Sequence, residues 1–236
     1  FLVSGGKAGI DYDYGVSGVS GTLTVYRDTP LTISMAAGND YTTDKIVIDD
    51  GVSANLTLAG VNISATEPYT TPFSIADDST GDVTITLAAG TRNFLEAGQY
   101  AAAIQKNNLA DAGSLTITGS GSLTATGGAG GTAIGGPIAE SIGTMVVSGG
   151  EIVAIRGITA SDFTMSGGSI NGYIRTDNFT ISGGEIVSDA NIGYTVSVNQ
   201  GGTIHLDGGT ITNTCTSEAS GDYGAIFITE FTSAIE

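Results

Sequence analysis

The sequence predicts an all-β fold, a right-handed parallel β-helix of roughly seven to nine coils. Three observations predict it. One phrase recurs along most of the chain, apolar residues within each copy fall two apart, and 37 of the 236 residues are glycine. Hydrophobic residues make up 40% and charged residues 13%, and strand-like apolar runs continue to the end, which supplies a core and argues against disorder.

The phrase reads NFTISGGEIV at 178–187, with near copies in DFTMSGGSIN and GTMVVSGGEIV before it. Aligned copies open their strand at Leu56, Val83, Leu115, Met145, Phe163, Phe179 and Ile204. A second apolar residue stands two positions on, from Leu58 and Ile85 through Met165 and Ile181 to Leu206, which puts both on one face of a strand. Four copies then carry a Gly-Gly pair, at 149–150, 167–168, 183–184 and 208–209. A bend between two strands of one coil needs positive φ or close backbone approach, and glycine takes either cheaply. A second buried strand opens at Ile152, Ile170, Ile186 and Ile211, and a third apolar patch follows, as in AAAI (101–104), YTVSV (194–198) and GAIFI (224–228).

Successive copies start 27, 32, 30, 18, 16 and 25 residues apart. Sixteen is close to the least that can go round three strands, so the longer intervals are expected to be loops let out from the coil. The stretches 65–74 and 87–114 are the main ones. Stacking in register predicts interior ladders, Phe163 over Phe179 and Met165 over Ile181. Outward positions then carry Thr84, Thr116, Thr164, Thr180 and His205, a hydroxyl-rich face interrupted by Val146. Asx residues recur just before these strands (Asp82, Asp162, Asn178), as turns favour. GIDYDY (9–14) is expected to cap the first coil, within a cap-and-first-coil segment 1–34. The apolar AIFITEF (225–231) lacks polar cover, so the chain is expected to continue past Glu236.

At this point three segments carry a resemblance: SLTITGSGSLTATGGAGGTAIGG (114–136), the VSGGEIVA turn, and DYDYGVSGVSGTLTVYRDTPLTIS (11–34). They resemble the parallel β-helix "carbohydrate-binding domain" proteins of Gram-positive anaerobes, whose fold is like that of pectate lyases. The resemblance covers nearly the whole chain, and its matching residues are core and turn. It implies extracellular display on a bacterial surface, binding of polysaccharide or host glycoprotein, and in some members bound Ca²⁺.

Charge narrows the partners. With 24 Asp plus Glu against 7 Lys plus Arg, the formal charge of −17 repels nucleic acid and anionic membranes. No stretch is long and apolar enough for a membrane-spanning helix. Cys215 stands alone, so no internal disulfide or cysteine-based metal cluster forms. A monomeric domain of a larger protein is the expectation.

Sugar recognition favours aromatic faces; the absence of tryptophan argues against a flat cellulose-type platform and leaves the tyrosines as candidates. Tyr69, Tyr100, Tyr173, Tyr194 and Tyr223 are the expected contacts, with Arg92 and Lys106 beside Tyr100 in the 87–114 excursion. For Ca²⁺, the acidic groups around Asp11–Asp13, Asp40, Asp44, Asp49 and Asp50, and Asp77, Asp78 and Asp82 are the oxygen donors at hand. A polysaccharide lyase is the enzymatic alternative. It needs a basic residue to take a proton α to a carboxylate, and Arg156 and Arg175, 19 residues apart, are the pair that fits. Two non-enzymatic alternatives remain: an adhesin for a folded host protein such as immunoglobulin, and a spacer.

Overall fold

A strand with apolar residues on one face is stable only when that face is covered and both edges are paired. The chain meets both needs by returning over itself. The computed structural model describes residues 1–17, 20–76, 80–106, 113–189, 193–215, 224–228 and 234–235. It is all-β, with no α-helix among the described residues.

Three parallel ladders organise it. The first runs through Ser20–Val25, Lys45–Ile48, Phe73–Ile75, Ile104–Gln105, Ile134–Gly135 and Ile158–Thr159. The second runs through Leu31–Ser34, Ala54–Leu58, Val83–Leu87, Leu115–Gly119, Thr144–Val147 and Asp162–Met165. Two long strands, Ile174–Ile181 and Tyr194–Leu206, then serve both ladders, so the two join into one 18-stranded sheet. The third ladder is a separate seven-stranded sheet that begins at Asn62–Ser64 and ends at Thr210–Asn213. The chain visits the ladders in the same order on each pass.

The predicted interior columns form. Val83, Leu115, Met145, Phe163, Phe179 and Ile204 are register partners in turn, and the rings of Phe163 and Phe179 stack 5.8 Å apart at 4°. Ile152, Ile170, Ile186 and Ile211 form the third-ladder column. The second glycine of each pair is left-handed, with φ between 76° and 91° at Gly150, Gly168, Gly184 and Gly209. The outward column also holds: Thr84, Thr116, Val146, Thr164, Thr180 and His205 are partners.

Two expectations are corrected. Leu56 pairs with Ile85 and not Val83, whose partner is Ala54, so the first copy sits two residues out of the aligned register. The stretch 87–114 is also no simple loop: it carries the third-ladder strand Arg92–Glu96 and the first-ladder strand Ile104–Gln105. The first was hidden because its polarity is inverted. Asn93 is fully buried, accepting hydrogen bonds from the Gly60 and Val61 N–H groups and donating to the Ser122 carbonyl, while Phe94 is 42% exposed.

The Asx positions staple neighbouring repeats. Asp82 accepts from the Ser114 N–H and hydroxyl, both at 2.8 Å, and Asn178 accepts from the Thr203 N–H and hydroxyl while donating to Asp162. These two bonds from Ser114 hold the Asp82 carboxyl below its ordinary pKa.

At the start of the stack, antiparallel strands lie along the first parallel ones: Tyr12–Ser17 on Ser20–Val25, and Leu2–Ser4 on Leu31–Ser34. Asp44 ties this end together, accepting from the Tyr14 hydroxyl and the Gly21 N–H. Burial and the Asp44 carboxylate push the Tyr14 hydroxyl up to about 12.

Two measurements follow from these contacts. Phe163→Ala is expected to lose about 3–5 kcal/mol in urea melts, whereas Phe94→Ala, on the exposed face, stays within about 0.5 kcal/mol of wild type. The second concerns alkaline pH. An unfolded tyrosine loses its proton near pH 10, but folded Tyr14 keeps it to about 12, so the folded state binds more protons in that window. Stability from this group is full below pH 10 and falls as pH rises towards 12. Tyr14→Phe should therefore show a shallower loss of stability than wild type between those values.

Candidate functional site

The corner from the third ladder to the first changes length along the stack. In three early repeats it takes seven or eight residues, at 65–72, 97–103 and 127–133, and in two later ones only two, at 156–157 and 172–173. The early corners lie backbone on backbone. A Cβ on Gly98 would stand 1.7 Å from the Glu67 carbonyl oxygen, and one on Gly128 would stand 1.8 Å from that of Gly98. No side chain fits there, and the three corners together make a ledge that stops at the short corners.

Beside the ledge runs a groove. One depression of about 390 Å³ lies between the third-ladder side chains Glu96, Thr126 and Ile155 and the ledge residues Gln99 and Ala129, and it ends on Arg156. Thr66 also lines a second depression of about 260 Å³ that includes Lys45, and Arg156 also lines a third of about 360 Å³ that includes Tyr173 and Asp189.

Aromatic rings stand at both ends of this corner. Tyr69 and Tyr100 stack with centroids 5.3 Å apart at 25°, and Tyr69 is 70% exposed. Both have left-handed backbones, φ 60° and 66°. A bulky side chain at such a φ is strained by about 1–3 kcal/mol, and surrounding structure must hold it there. Here the Tyr69 N–H donates to the Gln99 carbonyl at 2.7 Å and the Tyr100 N–H to that of Ala129 at 2.9 Å. Gly130, also left-handed, takes the equivalent place one repeat on, under the Tyr100 ring.

At the other end, Arg175 donates from Nε to the Tyr194 hydroxyl at 2.7 Å and lies over the rings of Tyr173 and Tyr194. Such cation–π contacts contribute about 0.5–1 kcal/mol each at exposed sites. Tyr194 stacks in turn on Phe227, and Gly157 leaves the space that the Tyr173 ring fills. Burial pushes the Tyr173 hydroxyl up, while Arg175 and, less strongly, Arg156 act against the shift. The two arginines of the predicted pair thus converge on one tyrosine. Arg156 is left-handed as well, φ 81°.

No protein-family model, curated protein or solved structure matches the chain.

Among the predicted site residues, the structure brings Tyr69 together with Tyr100, and Tyr173 together with Tyr194, Arg156 and Arg175. Arg92 sits exposed at the start of its third-ladder strand, away from the groove lining. Lys106 is fully buried, following Ile104 inward, with Nζ on the Gly113 carbonyl; burial lowers its pKa, and it does not reach the groove. Of the expected Ca²⁺ donors, Asp44 and Asp82 accept the hydrogen bonds described above, and Asp49 and Asp50 are exposed after a first-ladder strand. Asp77, Asp78 and Tyr223 lie outside the described residues. Among the described residues, no group of three or more His, Cys, Asp or Glu side chains is gathered as a metal site. Sequence reasoning missed Phe227, Gln99 and Ile155. Phe227 had a signal: in GAIFI it takes the outward phase of the period-2 pattern.

The left-handed tyrosines give a direct test. Tyr69→Gly relieves backbone strain that Tyr69→Ala keeps, and both lose the same ring stacking. The glycine variant should therefore melt at an equal or higher temperature than the alanine variant, the reverse of what those substitutions do inside a strand.

Proposed function

We propose that the chain is a non-catalytic binding module displayed outside a bacterial cell, built as a right-handed parallel β-helix of roughly seven to nine coils. Its ligand is a polysaccharide or a host glycoprotein such as mucin, held in the groove beside the ledge. One observation carries this reading: open depressions lie along the third ladder beside the ledge, one of them lined by Tyr173, and the neighbouring corners carry the stacked Tyr69–Tyr100 pair and the tyrosine–arginine cluster. Sugars offer C–H faces for such rings and hydroxyls for the Glu96, Gln99, Thr126 and Arg156 side chains that line the depression of about 390 Å³. The resemblance of the 114–136 and 11–34 segments to surface carbohydrate-binding β-helix proteins supports the same conclusion. So does strain held at Tyr69, Tyr100 and Arg156, since strained residues cluster at ligand sites.

A second reading has its own support. Tyr173, Arg175, Tyr194 and the 39% exposed Phe227 have the composition of a protein-binding hot spot, which suits an adhesin for a folded host protein such as immunoglobulin. The lyase alternative has less, because the Tyr194 hydroxyl already takes the Arg175 Nε–H.

Immobilised plant and host polysaccharides, mucin glycans and immunoglobulins, each tested with Ca²⁺ and with chelator, separate these readings. Retention on a glycan that is weakened by cutting Tyr69 and Tyr100 to alanine is the expected result. A chelator-sensitive signal would add Ca²⁺ to the site. Binding to immunoglobulin that survives removal of its glycans would favour the adhesin, and release of unsaturated oligosaccharides would establish the lyase.

A further inference from the structure

The cluster around Arg175 differs from the Tyr69–Tyr100 pair in what it leaves open. Thr159, Arg175, Ser197 and Phe227 are register partners in turn, an outward column of the first ladder. The Tyr194 ring spans this column: it stacks on Phe227 at 5.8 Å and 17°, and the Arg175 guanidinium lies 5.9 Å from its centroid. The same guanidinium lies 5.5 Å from the centroid of Tyr173, whose ring stands against Gly157. Both tyrosine rings are thus engaged by their neighbours, and what the cluster presents outward is a guanidinium and the exposed Phe227. The Arg175 Nε–H donates to the Tyr194 hydroxyl at 2.7 Å, which fixes the orientation of the fork. Its Nη donors have no partner among the described residues.

The chain carries 24 acidic residues against 7 basic ones, yet no carboxylate among the described residues lies within 4.0 Å of Arg175. Asp177, further along the same strand, accepts from the Asn199 amide at 2.7 Å, and Asp189 lines the depression that holds Arg156 and Tyr173. Arg156 adds a second positive charge near the Tyr173 hydroxyl. An oriented guanidinium with free Nη donors matches a carboxylate, which it takes bidentately. Resting on the protein-binding reading of this cluster, we infer that Arg175 takes an Asp or Glu carboxylate of a partner protein, while Phe227 packs on an apolar side chain beside that carboxylate. Two observations favour a protein over an acidic glycan. Phe227 is 39% exposed and calls for an apolar neighbour, and Arg175, Tyr194 and Phe227 line none of the depressions described above. The contact is therefore one of surfaces, with an arginine and a ring at its centre, as in protein interfaces. Tyr194 is a positioning residue here, acting through the Nε–H of Arg175.

Selection of a displayed library of random peptides on the full chain tests this, each retained peptide then being titrated in free, labelled form. Retained peptides should carry Asp or Glu next to an apolar or aromatic residue. Their affinity should fall about tenfold or more against Arg175→Lys and Arg175→Ala, each shown by its melting curve to be folded. Tyr194→Phe keeps the ring stack but releases the Nε–H, so affinity should fall about threefold or more, while Tyr69→Ala leaves it unchanged. Replacing the peptide's acid by its amide should cost as much as Arg175→Ala, and the two changes together little more than either alone. Fully additive losses would overturn the inference, as would a library from which nothing is retained or whose peptides bind without regard to Arg175. Retention on polygalacturonan or hyaluronan through Arg175, with no peptide bound, would overturn it in favour of an acidic glycan. Deglycosylated immunoglobulin bound equally by wild type and Arg175→Ala would overturn it and leave the adhesin reading standing. If neither peptides nor deglycosylated immunoglobulin are bound, both fall.

Discussion

Everything in this molecule depends on parallel backbone hydrogen bonding between one pass of the chain and the next. Each ladder fixes the step between passes at about 4.8 Å and admits no drift in register, because a slip of one residue would turn every inward side chain outward. The interior must therefore be built of like upon like. Phe163 over Phe179 and the isoleucines 152, 170, 186 and 211 express that constraint. Polar intrusions survive only with full hydrogen bonding, as at Asn93, which uses its amide on three backbone groups.

The same constraint explains which parts were legible in the sequence. The second ladder could be read because its strands alternate cleanly and the Gly-Gly pairs mark their ends. The later third-ladder strands could be read for the same reason. The strand Arg92–Glu96 could not, since buried Asn93 and exposed Phe94 reverse the polarity that a half-buried strand normally has. First-ladder strands such as Ile104–Gln105 are too short to show any period. Lys106 was misplaced by its charge: alternation from Ile104 turns it inward, and the Gly113 carbonyl receives its ammonium there. The tyrosines were legible as candidates because no tryptophan competes with them. Their pairing was not, because Tyr69 meets Tyr100 only when two corners of nearly equal length lie one on the other.

The ladders are rigid, whereas the corners joining them are free to differ in length from one repeat to the next. The ledge and the groove beside it arise from that freedom alone. Corners of seven or eight residues give way to corners of two, and the column of interior side chains runs on past the change without interruption. A surface can thus be reshaped with little effect on the core. The glycines at 98 and 128 are needed for the opposite reason, since long corners stack tightly only where no Cβ intervenes.

The strained residues fit this division. A ladder strand holds its residues in the β region, where every side chain but proline is comfortable, so strain can be stored only at corners. Three of the four non-glycine residues with positive φ among those described are Tyr69, Tyr100 and Arg156, all on the one corner that borders the groove. Glycine at these places would relieve the backbone, as Gly130 does one repeat beyond Tyr100. Keeping large side chains there gives up some stability, and what the fold gains is two stacked rings and a cation held at fixed places on the corner. Holding side chains at fixed angles costs stability in the free protein and spares the cost of ordering them when a partner binds.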